Sequence, residues 1–352
     1  MGKTTVSHLI GYKKLSRSTL LIQKAYISFD GGENLPGLCL DLLSDQKKEW
    51  QGLREGYESF QHIRERTLCC TGFSVRLQYN CGRIKSSTAD VGDKNANERR
   101  CFLCLDRLPE AQKGILYRCD YVILCNPMPV FSSHFTVSHL EHRRQSIAEP
   151  IDTFSKLMTD FGPGWMVLYN GPRCGASAPD HLHFQVAPSG QMPFEKEIQE
   201  KKRLTLVKQV GDVLLYRVKD LGREVIILEG DDPITMGSAF RVFLNALKKV
   251  LLIDEEPMMN IAGFYKERKW RLVIFPRRKH RPNAFFREGD ARIVVSPGII
   301  DMGGVLITPV EKDFDRLDET AVEGIFKEVS LEGNLVERAI EESGRERVES
   351  GV

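Results

Sequence analysis

Ser177, His181, His183 and Gln185 are the residues of this 352-residue chain whose types and spacing best suit chemistry at phosphorus. They lie in the stretch that runs from Asn170 through Gly175, Ala176 and Ser177 to His181-Leu182-His183-Phe184-Gln185. At strand period the two imidazoles and the carboxamide share one face, and Leu182 and Phe184 share the other. The small residues Gly175, Ala176 and Ser177 form a turn through which backbone N–H groups can approach a phosphate closely. An imidazole is largely neutral near pH 7 and is a competent nucleophile toward an activated phosphate. Its attack would give a nucleotidyl-histidine and divide one displacement into two. The charge on the phosphoryl oxygens needs fixed donors, for which the turn, the Ser177 hydroxyl and the Gln185 amide are candidates. A glutamine donates hydrogen bonds but carries no titratable proton. Such a site favours handing a nucleotide to an acceptor over protonating a poor leaving group. Alternation alone describes any half-buried strand; two histidines and a glutamine behind this turn set the segment apart.

The motif resembles that of the histidine-triad superfamily, in its nucleotidyltransferase branch. That branch includes galactose-1-phosphate uridylyltransferase, dinucleoside tetraphosphate phosphorylase and the GDP-hexose phosphorylases. It carries a Gly-x-Ser turn followed by His-x-His-x-Gln, and the form found here is most similar to the GDP-hexose phosphorylases. The hydrolase branch has a third histidine where this chain has Gln185. The uridylyltransferases and dinucleotide phosphorylases place one residue fewer between the serine and the first histidine. By this resemblance His183 is the nucleophile and Gln185 hydrogen-bonds the transferred phosphoryl group. Asn80 and Arg83 sit where related enzymes contact a diphosphate, although an ordinary solvated loop explains that segment as well. Asn170, Gly175, Ala176 and Ser177 complete the substrate contacts. The implied activity is that of a nucleotidyltransferase of phosphorylase type. It would act on a nucleotide sugar or dinucleoside polyphosphate, with inorganic phosphate or a sugar phosphate as acceptor. The alternatives are a pyrophosphohydrolase of the same fold and a zinc-organised nucleotide-binding module without catalysis.

Upstream, Cys101 and Cys104 form a Cys-x-x-Cys pair in a polar context, with His134, His139 and His142 following. The pair by itself could be redox-active, half of a metal site or incidental. Some superfamily members build a zinc site from such a pair, a later histidine and the first histidine of the triad. Carried over residue by residue, the implied ligands are Cys101, Cys104, His142 and His181, and four N/S ligands suit a closed structural zinc. The other reading has His142 capping a helix and the two cysteines as reduced core residues.

Nine cysteines, an odd number with Cys69 and Cys70 adjacent, do not read as a disulfide scaffold. The first ten residues are polar, and no apolar run approaches the ~20 residues needed to span a bilayer. A reducing, cytoplasmic compartment is expected. With 50 basic and 48 acidic residues the chain carries no broad field for nucleic acid or membrane, and neither is expected as a partner. Gly2-Lys3-Thr4-Thr5 matches the end of a phosphate-binding loop but lacks the glycine and strand that precede one.

The elements that must position these residues read as α+β. Periodicity predicts a helix over 43–66, strands over Phe73–Tyr79, Tyr121–Cys125, 135–137, 165–169 and 181–186, and a helix over Ile151–Phe161. The second half repeats the grammar: strands at Val213–Val218, 224–228, 260–264 and 270–275 around a helix at 236–251. The run from Val273 to His280 echoes the strand and basic turn ending at His142, with no second His-x-His behind it. Arg277, Arg278, Lys279 and Arg281 could reach a phosphate, or could form a solvated loop. The expected fold is therefore a pair of histidine-triad-like antiparallel sheets with flanking helices. Its divisions are a helical N-terminal extension (1–66), a catalytic unit (67–200), a divergent copy (201–313) and a charged helical tail (314–352), fraying at its end.

Overall fold

The computed structural model describes residues 17–88 and 101–345. The 2–5 motif and the last residues of the tail lie outside them. The strands are β1 (Ala25–Phe29), β2 (Arg64–Cys70), β3 (Phe73–Tyr79), β4 (Gly114–Tyr117), β5 (Tyr121–Cys125), β6 (Phe135–His139), β7 (Trp165–Asn170) and β8 (His183–Pro188). They continue with β9 (Leu204–Val210), β10 (Val213–Val218), β11 (Val225–Gly230), β12 (Met259–Lys266), β13 (Lys269–Pro276) and β14 (Val305–Thr308). Eleven of them form one sheet in the order β1-β4-β5-β6-β8-β7-β12-β13-β11-β10-β9, and β14-β3-β2 form a second.

Each half of the large sheet has the same plan. A hairpin, a third strand, a helix and two more strands follow in sequence, and the last strand slots beside the third. Thus β4-β5-β6-β8-β7 is matched by β9-β10-β11-β13-β12, with the helices Ile151–Phe161 and Pro233–Leu251 in equivalent places. The halves join where β7 pairs antiparallel with β12, from Asn170 opposite Asn260 to Val167 opposite Gly263. This corrects the expected internal echo: the strand before Arg277 is β13, whose counterpart is β8 and not the β6 strand that leads to His142.

The helices form for local reasons. Asp232 caps Pro233–Leu251 by accepting from the Thr235 N–H at 2.8 Å, and Pro233 suits the first helical position. Ile151–Phe161 buries Ile151, Phe154, Leu157, Met158 and Phe161 at helical spacing and stops at Gly162, whose φ is +68°. These two helices and Leu35–Glu49 cover one face of the sheet, where Phe154, Phe184, Val186 and Phe240 share a core. The second core, on the other face, joins Leu168, Ala187, Val273 and Phe275 to the small sheet and the helix Glu319–Val329.

The expected helix over 43–66 is two helices, Leu35–Glu49 and Gln51–Gln61, broken at Trp50, whose backbone is extended (φ −112°, ψ 104°). Arg64 and Arg66 belong to β2, and the N-terminal segment also supplies β1, parallel to β4. Among the described residues no helix is long and apolar enough to cross a membrane.

Phe154 is fully buried and meets Phe184, on the back of the histidine strand, with ring centroids 5.4 Å apart. Phe154→Ala should therefore cost about 3–5 kcal/mol of stability, read as a lower urea midpoint at unchanged slope.

Candidate active site

Burial decides which way β8 faces. Leu182, Phe184 and Val186 enter the helix-side core, so His183 and Gln185 must turn to the other face. There they line a cavity of about 320 Å³. His183 is only 3 % exposed. Its ring Nδ1 lies 2.8 Å from the His181 carbonyl oxygen. A carbonyl can only accept, so Nδ1 carries the proton and Nε2 presents a lone pair. Burial lowers the pKa of His183, which favours this neutral form. The main chain is clamped by the buried Gln145. Its Oε1 accepts from the His183 N–H at 2.8 Å, and its Nε2 donates to the carbonyls of His183 at 3.0 Å and Asn170 at 2.9 Å.

The Gln185 amide is oriented by His134. His134, fully buried and pushed down to about pKa 4 by desolvation, accepts at Nδ1 from the Val130 N–H at 3.3 Å. Its Nε2 therefore holds the proton and donates to Gln185 Oε1 at 2.7 Å. That fixes the Gln185 oxygen away from the reacting group and leaves the NH2 as a donor. The sequence singled out His134 only as one of three histidines; its role depends on a contact across 51 residues.

Of the expected turn residues, Gly175 and Ser177 line the cavity, while Ala176 is buried outside the lining. Gly175 has φ +88°, and a Cβ there would stand 2.6 Å from the Gly298 Cα, so both conformation and space demand glycine. Asn170 lines the cavity with its Oδ1 occupied by the Ile299 N–H at 2.7 Å. Arg83 reaches the cavity and donates from Nη1 to the Met128 carbonyl at 2.8 Å. Asn80 does not reach it: its amide donates to Gln78 Oε1 and the Pro129 carbonyl.

The rest of the lining was not legible in advance. Trp50, Phe102, Leu103, Leu108 and Leu124 supply apolar lining, with the amide of Gln112 also in the wall. Ser296, Gly298 and Asp301 join the lining from the far half of the chain. Burial raises the Asp301 pKa to about 6, although its carboxylate accepts from the Gly298 and Ile307 N–H groups, each at 2.9 Å. The basic run is corrected. Arg277 is 1 % exposed and satisfied inside the protein, and Arg278 and Lys279 pair with Glu332 and Glu328. Only Arg281 is near the cavity, donating to the Ser296 hydroxyl at 2.9 Å and lying over Phe285.

Cys101, Cys104, His142 and His181 converge, with all four ligand atoms within 4.8 Å of one another. His181 Nδ1 is 3.2 Å from the Cys101 sulfur and 3.7 Å from that of Cys104, and His142 Nδ1 is 3.3 Å from Cys104. A tetrahedral site with bonds of about 2.0–2.3 Å has ligand edges of roughly 3.3–3.8 Å, so the donors fit a metal ion. Both rings are set for it. His181 Nε2 donates to the His139 carbonyl at 2.8 Å, which leaves its Nδ1 free of a proton, and His142 Nε2 faces Asp180 at 3.5 Å. His139 is not a ligand: its Nδ1 accepts from the Glu141 N–H at 2.9 Å.

A family model described as "Domain of unknown function (DUF4922)" matches residues 42–188, which contain the cysteine pair and the histidine strand. No curated protein matches the sequence. Among solved structures the chain is similar to yeast Ap4A phosphorylase Apa2, at 15% identity and a TM-score of 0.56 over 85% of this chain and 95% of that one. The same enzyme in complex with AMP matches at 16% identity and a TM-score of 0.56, covering 85% of this chain and 97% of that one. Its complex with Ap4A matches at 14% and 0.55, covering 85% and 98%. The chain has the α+β fold of that phosphorylase, its large sheet built from two halves of like plan.

Protein purified without chelator should carry about one metal ion per chain by elemental analysis, and Cys104→Ser should lose it with a lower Tm, because binding energy at such a site is folding energy. Metal-free protein of unchanged Tm would reduce the cluster to a packed Cys and His pair.

Proposed function

We propose that the chain is a nucleotidyltransferase of phosphorylase type. It cleaves a nucleotide sugar or dinucleoside polyphosphate at the α-phosphorus through a nucleotidyl-His183 intermediate. The observation that carries this reading is the His183 ring, with its Nδ1 proton committed to the His181 carbonyl and its Nε2 side left to the cavity. Nε2 forms a bond to the α-phosphorus as the bridging P–O bond breaks and the electron pair leaves with the departing phosphate. The Nδ1–H to carbonyl bond stabilises the positive charge that the ring then gains. The Gln185 and Asn170 amides, the Gly175 turn and Ser177 are the donors for the α-phosphoryl oxygens. Inorganic phosphate or a sugar phosphate attacks phosphorus next and returns the electron pair to Nε2.

A nucleotide substrate is further supported by the AMP and Ap4A complexes of the yeast enzyme that shares this fold. Phosphate as acceptor is favoured over water by Gln185, which offers no proton, and by His134, whose Nε2 proton is tied to it. The metal is proposed to be zinc, held by Cys101, Cys104, His142 and His181 as a structural ion. Its part is to hold His181, and so the carbonyl that fixes the His183 tautomer.

Incubation with a panel of nucleotide sugars and dinucleoside polyphosphates, without phosphate, should add one nucleoside monophosphate to the protein by intact mass. His183→Ala should abolish the adduct and lower turnover by at least about 10³-fold. Full turnover in His183→Ala would remove the nucleophile assignment.

A further inference from the structure

The geometry points to Asn260, in the second half of the chain, as a positioning residue for the phosphoryl-binding donors of the first half, set in its working orientation by Arg277. This rests on the nucleotidyl-transfer reading above and adds to it what the second, histidine-poor half contributes.

The starting point is a group whose hydrogen-bonding sense is fixed. A guanidinium can only donate, and Arg277 uses all five of its N–H groups inside the protein. Its Nε donates to the Val329 carbonyl at 3.2 Å, and its Nη2 to the carbonyls of Lys279 and His280, each at 3.0 Å. Its Nη1 donates to the Pro297 carbonyl at 2.9 Å and to Asn260 Oδ1 at 2.5 Å. The last contact decides which end of the Asn260 amide is oxygen. The Asn260 Nδ2, fully buried, must then be a donor, and it has two acceptors. One is the Cys174 carbonyl at 2.7 Å, directly before Gly175 in the phosphate turn. The other is Asn170 Oδ1, also at 2.7 Å.

Asn170 is thereby oriented in turn. Its oxygen accepts from Asn260 and from the Ile299 N–H, and both partners would clash electrostatically with an NH2 in that place. The Asn170 NH2 is left as the group presented to the cavity that Asn170 lines. One side chain of β12 thus fixes two donors of the site, the Asn170 amide and the turn at Gly175. It can do so because Asn170 and Asn260 face each other where the two halves of the sheet join.

The test uses the full chain and four proteins: wild type, Asn170→Ala, Asn260→Asp and the double variant. Asn260→Asp keeps the acceptor that Arg277 needs and removes only the donor, beside a cation that stabilises the new carboxylate. Two readouts are taken. One is the rate of nucleotidyl-enzyme formation from Ap4A in rapid quench, and the other is calorimetric affinity for inorganic pyrophosphate, which requires no turnover. Asn170→Ala should slow adduct formation roughly 100-fold, as for loss of one oxyanion donor. Asn260→Asp should slow it at least as much, with a Tm close to wild type. The double variant should be within about threefold of Asn260→Asp alone, since the Asn170 donor is already lost in that background. The pyrophosphate affinities should show the same non-additivity. Multiplicative losses in the double variant, or an Asn260→Asp protein with wild-type rate and affinity, would overturn the proposal. If wild type forms no adduct, the nucleotidyl-transfer reading falls, and the pyrophosphate cycle still decides whether Asn260 orients Asn170.

Discussion

Leu182, Phe184 and Val186 give the histidine strand no choice of face, and the rest of the site follows from that. They are buried against the helix Ile151–Phe161 in the interior of an eleven-stranded sheet. A register slip of one residue would move three apolar side chains out of the core and a histidine and a glutamine into it. His181, in the Cys and His cluster, lies two residues before His183 at the start of β8, so one backbone segment fixes both a candidate metal ligand and the proposed nucleophile. Gln145 reinforces the constraint where the sheet ladder ends, by bonding to both main-chain groups of His183.

Polar groups inside this frame are ordered by donor and acceptor logic. Each ambiguous ring or amide is decided by a neighbour that can act in only one sense. The His181 carbonyl decides His183, the Val130 N–H decides His134 and through it Gln185, and the Arg277 guanidinium decides Asn260. A site organised this way presents its donors before a substrate arrives, which for the proposed reaction lowers the reorganisation needed as charge develops at phosphorus.

The strand that carries His183 and Gln185 was legible because period-two alternation and a glycine turn are local signals. So was the set Cys101, Cys104, His142 and His181, which the fold brings together although 80 positions separate the first from the last, because the residue types are rare and the family resemblance supplies the spacing. What escaped reading depends on contacts distant in sequence. His134 acts on Gln185 from the start of the neighbouring strand, and Asp301 reaches the cavity from the short helix Ile299–Met302 of the other half. Arg277 reads as a solvated or phosphate-binding cation because its sequence neighbours are charged, yet it is fully enclosed by carbonyls that only the tertiary fold brings together. The break at Trp50 was hidden because the flanking residues keep helical period across it; its backbone is extended and the residue lines the cavity.

The proposed reaction is a two-step displacement at His183, and the stereochemical course at phosphorus tests it most directly. With a substrate made chiral at the α-phosphorus by sulfur and oxygen isotopes, two in-line displacements give overall retention of configuration. Inversion would mean that the acceptor attacks phosphorus directly and that no nucleotidyl-His183 lies on the reaction path.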